Sequence, residues 1–103
     1  MNIRWEGEDE DRRAAMAAAA ERDRLRAQAV GEEIVMANEF SEVRIVQVHT
    51  RNGSRLLIES PKSGQWVTLC PLELEALTWQ GPATFSAMLG RPFRPLYPEE
   101  DDG

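Results

Sequence analysis

The sequence predicts an α+β fold, in which a three-stranded antiparallel β-meander is followed by two short helices and preceded by a helical leader. Three observations predict it. Two turn signals separate three apolar runs between positions 43 and 70. A leucine-rich segment with helical spacing starts at Pro71. Residues 11–30 consist mainly of alanine, arginine, glutamate and leucine, which are strong helix formers.

The leader comprises residues 1–35, and its helix is predicted from Asp11 to about Val30, with Gly31 placed to end it. The apolar residues of this helix are mostly alanines, so it has little to bury against the rest of the chain. The composition changes at Met36. We therefore expect the folded domain to span residues 36–95. The leader is then a functional arm, an upstream extension or a solvated helix without a specific role.

The first turn signal of the meander is Thr50-Arg51-Asn52-Gly53. A two-residue Asn-Gly turn would place Val48 opposite Leu57 and would mix polar with apolar side chains on both faces. A bulged type I turn, with its glycine in a left-handed conformation, instead places Val48 opposite Leu56 and makes one face uniformly apolar. The hydrophobic pattern therefore favours the bulged turn.

The second turn signal, Pro61-Lys62-Ser63-Gly64, has proline and glycine at the positions where a turn needs them. Closing this loop at Ser60 and Gln65 places Val67 beside Ile58. The two turns together predict the two faces of the sheet. The first predicted face carries Val46, Val48, Leu56, Ile58, Val67 and Leu69, and the second carries Ile45, Gln47, His49, Arg55, Leu57, Glu59, Trp66, Thr68 and Cys70.

Two helices are predicted after the sheet. Pro71 suits the first position of a helix that continues to Gln80 and is apolar on more than half of its circumference. Gly81-Pro82 ends that helix and begins a second one, which runs to Leu89. The prolines of residues 91–98 then require an extended arm.

The net charge of −6 is unevenly distributed over the 103 residues. Residues 1–35 carry −3, residues 36–95 carry +1, and residues 96–103, predicted to be a disordered acidic tail, carry −4. The absence of a basic stripe argues against binding to nucleic acid. A single cysteine, Cys70, suits a reducing compartment, and no apolar run has the length of a membrane span. The sequence therefore predicts a cytoplasmic protein without nucleic-acid or membrane partners.

The residues that could support catalysis or metal binding are few. In the predicted register His49 and Cys70 lie two strands apart, roughly 10 Å, which is too far to share a zinc ion or to form a Cys–His pair. Glu73 and Glu75 point in different directions on their helix and are typical acids of a first turn. We therefore predict no catalytic residue, no metal site and no cofactor. An enzyme or metal protein that uses Cys70 and His49 is the least favoured alternative.

The aromatic residues indicate binding to another protein. Trp66, Ile45 and Leu57 form an apolar strip on the second predicted face, while the C-terminal helices can cover only the first. Apolar patches of this kind mark protein–protein surfaces. Alternatively, the N-terminal arm or the proline-rich tail covers them. The predicted interaction residues are Ile45, Leu57, Trp66, Trp79, Phe93, Leu96 and Tyr97.

Four stretches of the chain resemble a group of short bacterial proteins that often carry the label "dihydrodiol dehydrogenase". They are Ala37-Asn38-Glu39-Phe40, Thr50-Arg51-Asn52-Gly53, Ile58-Glu59-Ser60-Pro61 and Pro71-Leu72-Glu73-Leu74-Glu75-Ala76-Leu77-Thr78-Trp79-Gln80. The resemblance covers about residues 36–93 and implies an association with oxidative catabolism. It transfers no catalytic residue, because a dehydrogenase needs a βαβ nucleotide-binding unit that this sequence does not contain.

Two functions follow as expectations. The preferred one is a non-catalytic small subunit or accessory protein that binds a larger enzyme, with an oxidoreductase as one candidate, through an apolar sheet face. The alternative is a small domain that associates with its own copy and has a regulatory or small-ligand role.

Overall fold

The computed structural model describes residues 6–90, with side chains from Asp9 onward. The α+β class is confirmed and the leader is helical, but the antiparallel sheet has four strands instead of the three predicted. The chain divides into two units, one ending at Pro71 and one beginning at Leu72. The elements are α1 (Glu6–Arg26), β1 (Ala29–Ala37), β2 (Glu42–Thr50), β3 (Gly53–Glu59), β4 (Trp66–Leu69), α2 (Pro71–Leu77) and α3 (Pro82–Gly90).

The additional strand is β1, and it comes from the segment predicted as leader. The sheet order is β1-β2-β3-β4, and every neighbouring pair is antiparallel. Helix α1 ends at Arg26, earlier than predicted, and the strand crosses Met36, where the composition changes. Pairing with β2 shifts register between Val30 and Ile34, where Gly31 has a φ of +84°. Gly31 therefore serves a bulge in the strand, because a positive φ costs glycine little.

A short turn joins β1 to β2. The Asn38 side-chain oxygen accepts hydrogen bonds from the backbone N–H groups of Phe40 and Ser41, both at 2.9 Å. The Asn38 N–H donates to the Ser41 carbonyl oxygen at 2.9 Å. Asparagine commonly forms such turns, because its side chain can replace a backbone acceptor. Phe40 at the tip of this turn is 80% exposed.

The turn between β2 and β3 corrects the predicted register. Thr50 pairs with Gly53 across a two-residue loop, so Val46 lies opposite Leu57 and Val48 lies opposite Arg55. This pairing differs from both turns considered from the sequence, and it is one residue away from the bulged turn that was favoured. Leu57 consequently shares a face with the two valines, whereas Leu56 and Ile58 lie on the face of Ile45.

The pairing of β3 with β4 confirms the second predicted turn. Val67 lies opposite Ile58, and Leu69 lies opposite Leu56. The Ser60 N–H donates to the Gln65 carbonyl oxygen at 2.8 Å and closes the loop where the sequence placed the closure. Gly64 has a φ of +79°, as a glycine at this turn position requires.

Helix α1 packs against β2 and covers one face of the sheet. We call this the α1 face and define it by Val46, Val48, Leu57, Glu59 and Trp66. Val46, Val48 and Leu57 are 5%, 0% and 1% exposed and form the buried core, and Leu25 of α1 packs against them. We call the opposite face the aliphatic face. It consists of Val30, Ile34, Met36, Val43, Ile45, Leu56, Ile58, Val67 and Leu69.

The two helices predicted after the sheet are present. Helix α2 ends at Leu77, three residues before the predicted end, and α3 runs through Gly90. The Thr84 N–H donates to the Gly81 carbonyl oxygen at 3.1 Å in the first turn of α3. Within residues 6–90, no helix is long and apolar enough to cross a membrane.

Candidate protein-interaction site

The predicted interaction residues of the sheet do not share one face. Ile45 lies on the aliphatic face, whereas Leu57 and Trp66 lie on the α1 face. Their predicted grouping was wrong because the β2–β3 turn moves β3 by one position relative to β2. Leu57 is 1% exposed, so it belongs to the core of this unit.

Trp66 is half-buried beside α1. Its indole N–H donates to the Ala18 carbonyl oxygen at 3.1 Å, and its ring packs against the core. Helix α1 belongs to the predicted N-terminal arm. The alternative that this arm covers the apolar strip is therefore confirmed for Leu57 and Trp66. An open groove of about 410 Å³ adjoins the indole. It is lined by Ala15, Ala18, Ala19, Arg22, Ser63, Gly64, Gln65 and Trp66.

Buried Glu59 connects the sheet to α1, a role that was not predicted from the sequence. Glu59 is 7% exposed, and its Oε2 accepts a hydrogen bond from Arg22 Nη1 at 3.1 Å. Its Oε1 accepts from Arg26 Nη2, and Arg26 also binds Glu33 of β1. The hydrogen bond to Glu33 raises the pKa of Arg26, partial burial lowers it, and Glu59 raises it. Arg26 therefore stays charged and joins α1, β1 and β3.

We call Arg22, Arg26, Glu33 and Glu59 the ion-pair cluster. The sequence contains one signal for it, since Arg22 and Arg26 are four residues apart and share one face of a helix. A buried carboxylate is stable only when paired and hydrogen-bonded. The cluster therefore restricts how α1 can lie on the sheet, because any other placement leaves Glu59 without its arginines.

Replacing Glu59 with Gln is expected to lower the free energy of unfolding by about 1–3 kcal/mol. This loss of stability is smaller than the loss expected when a fully buried ion pair is broken, because the Arg22 and Arg26 side chains are 23% and 31% exposed. Urea denaturation at neutral pH measures it. The matched control is Glu42→Gln, whose exposed carboxylate lies 3.8 Å from Arg44 and should change stability by less than about 0.5 kcal/mol. Equal effects of the two variants would contradict a structural role for the cluster.

His49 lies in β2 and Cys70 directly follows β4, so the two residues are two strands apart, as predicted. His49 pairs with Ser54 of β3, and it is exposed on the side of the aliphatic face. Arg55 of β3 lies on the side of the α1 face, and its Nε donates to the hydroxyl of Thr68 in β4 at 3.2 Å. Among the side chains described, no group of three or more His, Cys, Asp or Glu residues is placed to hold a metal ion.

Helices α2 and α3 and the segment between them carry six of the thirteen exposed large apolar side chains in the described part of the chain. Neither helix contains a buried residue. Trp79, which follows α2, is 83% exposed, and Leu72 and Leu89 are 73% and 75% exposed. We call the exposed apolar side chains of this segment the helical patch. It consists of Leu72, Leu77, Trp79, Phe85, Met88 and Leu89.

Among the predicted interaction residues that the structure describes, Trp79 is exposed, whereas Ile45, Leu57 and Trp66 are partly or fully buried. Ile45 is partly buried within the aliphatic face, and the indole of Trp79 belongs to the helical patch. The predicted docking arm with Phe93, Leu96 and Tyr97 lies outside the described residues.

Comparisons with protein-family models, with curated proteins and with solved structures returned no match to this chain.

Proposed function

We propose that this chain is a non-catalytic small subunit or accessory protein that binds a larger protein through the helical patch. One observation carries the proposal. Helices α2 and α3 bury none of their residues, although they and the segment between them present six large apolar side chains to solvent. Apolar patches of this kind on a protein surface mark interaction sites.

The length of the two helices supports the same proposal. They have seven and nine residues, and isolated helices shorter than about 12–15 residues are marginal in water. A partner that covers the helical patch would therefore stabilise the helices as well as gain affinity. Tryptophan is enriched among the residues that dominate binding energy, so Trp79 is the expected anchor.

The charges of this segment indicate what kind of partner surface would fit. Residues 71–90 contain two acids, Glu73 and Glu75, and no basic residue. An apolar groove with a basic rim would accept the helices in the manner of helix-in-groove recognition and would attract the two carboxylates. The resemblance to short bacterial proteins labelled "dihydrodiol dehydrogenase" includes residues 71–80, and it is the reason for proposing an oxidoreductase as the larger protein.

Replacing Trp79 with Ser is expected to weaken partner binding about 30-fold, which corresponds to about 2 kcal/mol for an aromatic anchor. The full-length chain is immobilised and exposed to lysate of its native host at low salt, and the captured protein is identified. Its affinity for each variant is then measured by calorimetry.

The matched control is Phe40→Ser, because Phe40 is a similarly exposed aromatic residue in the other unit of the chain. The proposal requires the captured protein to bind the Phe40 variant normally and the Trp79 variant weakly. Equal binding to both variants, or no captured protein from a folded full-length chain, would contradict it.

A further inference from the structure

Strand β1 is an edge of the sheet, and its residues are exposed. The strand order places β2 on one side of it and no described strand on the other. All nine of its residues are exposed, whereas β4 at the opposite edge has only four residues. An edge strand presents unpaired backbone N–H and C=O groups and can therefore pair with another chain.

The usual protection of an edge is missing from part of β1. Natural edges are protected by lysine, proline, bulges or inward-pointing charges, and Ala29–Ala37 contains no lysine, arginine or proline. Its two charges, Glu32 and Glu33, fall within the register shift, and Glu33 is bound to Arg26. The segment Ile34–Ala37 is uncharged and regularly paired with β2.

The charge pattern of β1 permits pairing with a second copy of the strand and restricts the register of that pairing. With a two-fold axis at Val35, Ile34 of one copy lies opposite Met36 of the other, and Glu33 lies opposite Ala37. Moving the axis to Ile34 creates no like-charge pair, but it places Val35 and Met36 opposite Glu33 and Glu32, which lie within the register shift. Moving it to Glu33 places this glutamate opposite itself, and moving it to Met36 places Glu33 opposite Glu39. Like charges that face each other across strands are destabilising.

We infer that this protein forms a homodimer in which the Ile34–Ala37 segments of two β1 strands pair antiparallel about a two-fold axis at Val35. The two four-stranded sheets then form one sheet of eight strands. Ile34 and Met36 belong to the aliphatic face and are 57% and 58% exposed. Because paired residues lie on the same side of a sheet, the two aliphatic faces become continuous.

This interface is separate from the helical patch and does not depend on the proposed function. A single pair of short strands buries less area than the roughly 1,200–2,000 Å² of a stable interface. The dimer should therefore dissociate at about micromolar concentrations. This edge-to-edge dimer also differs from a dimer in which two sheet faces pack against each other, because face-to-face packing would use Val67 and its neighbours.

Sedimentation velocity from about 1 to 300 µM (the range in which a dimer of this size should dissociate) tests the inference. The wild-type mass should rise from that of the 11.6 kDa chain towards twice that value. Val35→Lys and Val35→Glu should each stay monomeric, because the axis brings two like charges together. An equimolar mixture of the two variants should dimerise again, because lysine then faces glutamate.

The matched control is Val67→Lys, since Val67 and Val35 are 47% and 54% exposed. It should dimerise like the wild type. Amide exchange of the wild type provides a measurement without substitution, and Ile34–Ala37 should be more protected at high concentration than at low concentration.

Three results would overturn the inference. They are a wild-type chain that is monomeric at every concentration, a dimer that is lost with Val67→Lys but kept with Val35→Lys, and folded Val35 variants that fail to associate when mixed.

Discussion

A chain that begins at Met36 is expected to lose the cooperative unfolding transition of the full-length protein. The deletion removes α1 and most of β1, and with them the cover of Val46, Val48 and Leu57. Burying a valine or leucine side chain is worth about 1.5–3 kcal/mol. Uncovering three of them therefore removes an amount comparable to the roughly 5–15 kcal/mol that stabilises a small domain.

The deletion also leaves Glu59 without Arg22, Arg26 and Glu33. Urea denaturation followed by far-ultraviolet circular dichroism and by tryptophan fluorescence measures the result. Trp66 should emit at longer wavelength, because its indole loses the Ala18 carbonyl oxygen and the groove beside α1. A Met36 chain with the urea midpoint of the full-length protein would contradict the prediction, and residues 1–35 would then be an extension without a structural role.

A chain that begins at Gln28 separates the two contributions. It keeps β1 and deletes α1, so it measures the value of the helix alone. We expect it to be less stable than the full-length chain and to retain more β-structure than the Met36 chain, because β1 still pairs with β2. If the two truncated chains are equally destabilised, the cover supplied by α1 contributes most of the stability that residues 1–35 provide.

The importance of residues 1–35 could not be read from composition. An alanine-rich helix has few large apolar side chains, and a thin stripe predicts little burial. In the structure, Leu25 packs against the core, Ala18 accepts a hydrogen bond from Trp66, and Arg22 and Arg26 bind Glu59. The hydrogen bonds among these contacts join residues 33 to 48 positions apart along the chain, so only the tertiary structure reveals them.

Strand β1 was missed for a local reason. Gly31, Glu32 and Glu33 interrupt the alternation of apolar and polar residues that marks a strand, and the bulge lies at this interruption. The signal that remained was the β-branched pair of Ile34 and Val35, followed by a turn residue at Asn38.

The two turns of the meander show why one register was predictable and the other was not. Pro61 and Gly64 each suit a single position of their turn, so the loop from Ser60 to Gln65 is determined by local chemistry. The loop at Arg51 and Asn52 admits several closures. The choice among them was based on a uniformly apolar face, whereas the structure has apolar residues of β2 and β3 on both faces, and this led to the wrong closure.

The wrong β2–β3 register also made part of the predicted interaction site wrong. Trp79 was assigned to the interaction residues from its place at the end of a predicted helix, and it is 83% exposed. Leu57 was assigned to a partner surface because its face was derived from the β2–β3 register. An error of one residue in that register exchanges a core position for a surface position.

Adjacent leucines of β3 provide the most direct test of the register. Leu57→Ala is expected to lower the free energy of unfolding by about 3 kcal/mol, because Leu57 is 1% exposed between α1 and the sheet. Leu56→Ala should cost less, about 1 kcal/mol, because Leu56 is only partly buried on the aliphatic face. Urea denaturation of the three proteins measures the difference between neighbouring positions with the same substitution.

Leu72→Ala serves as the control for the substitution itself. Leu72 is 73% exposed, so the loss should stay within about 0.5 kcal/mol. The bulged turn would reverse the order of the two β3 variants, since it places Leu56 with Val46 and Val48. A larger loss for Leu56→Ala than for Leu57→Ala would therefore contradict the register of β2 and β3. It would also make Leu57 available to a partner again, because the core would then lie on the opposite face of the sheet.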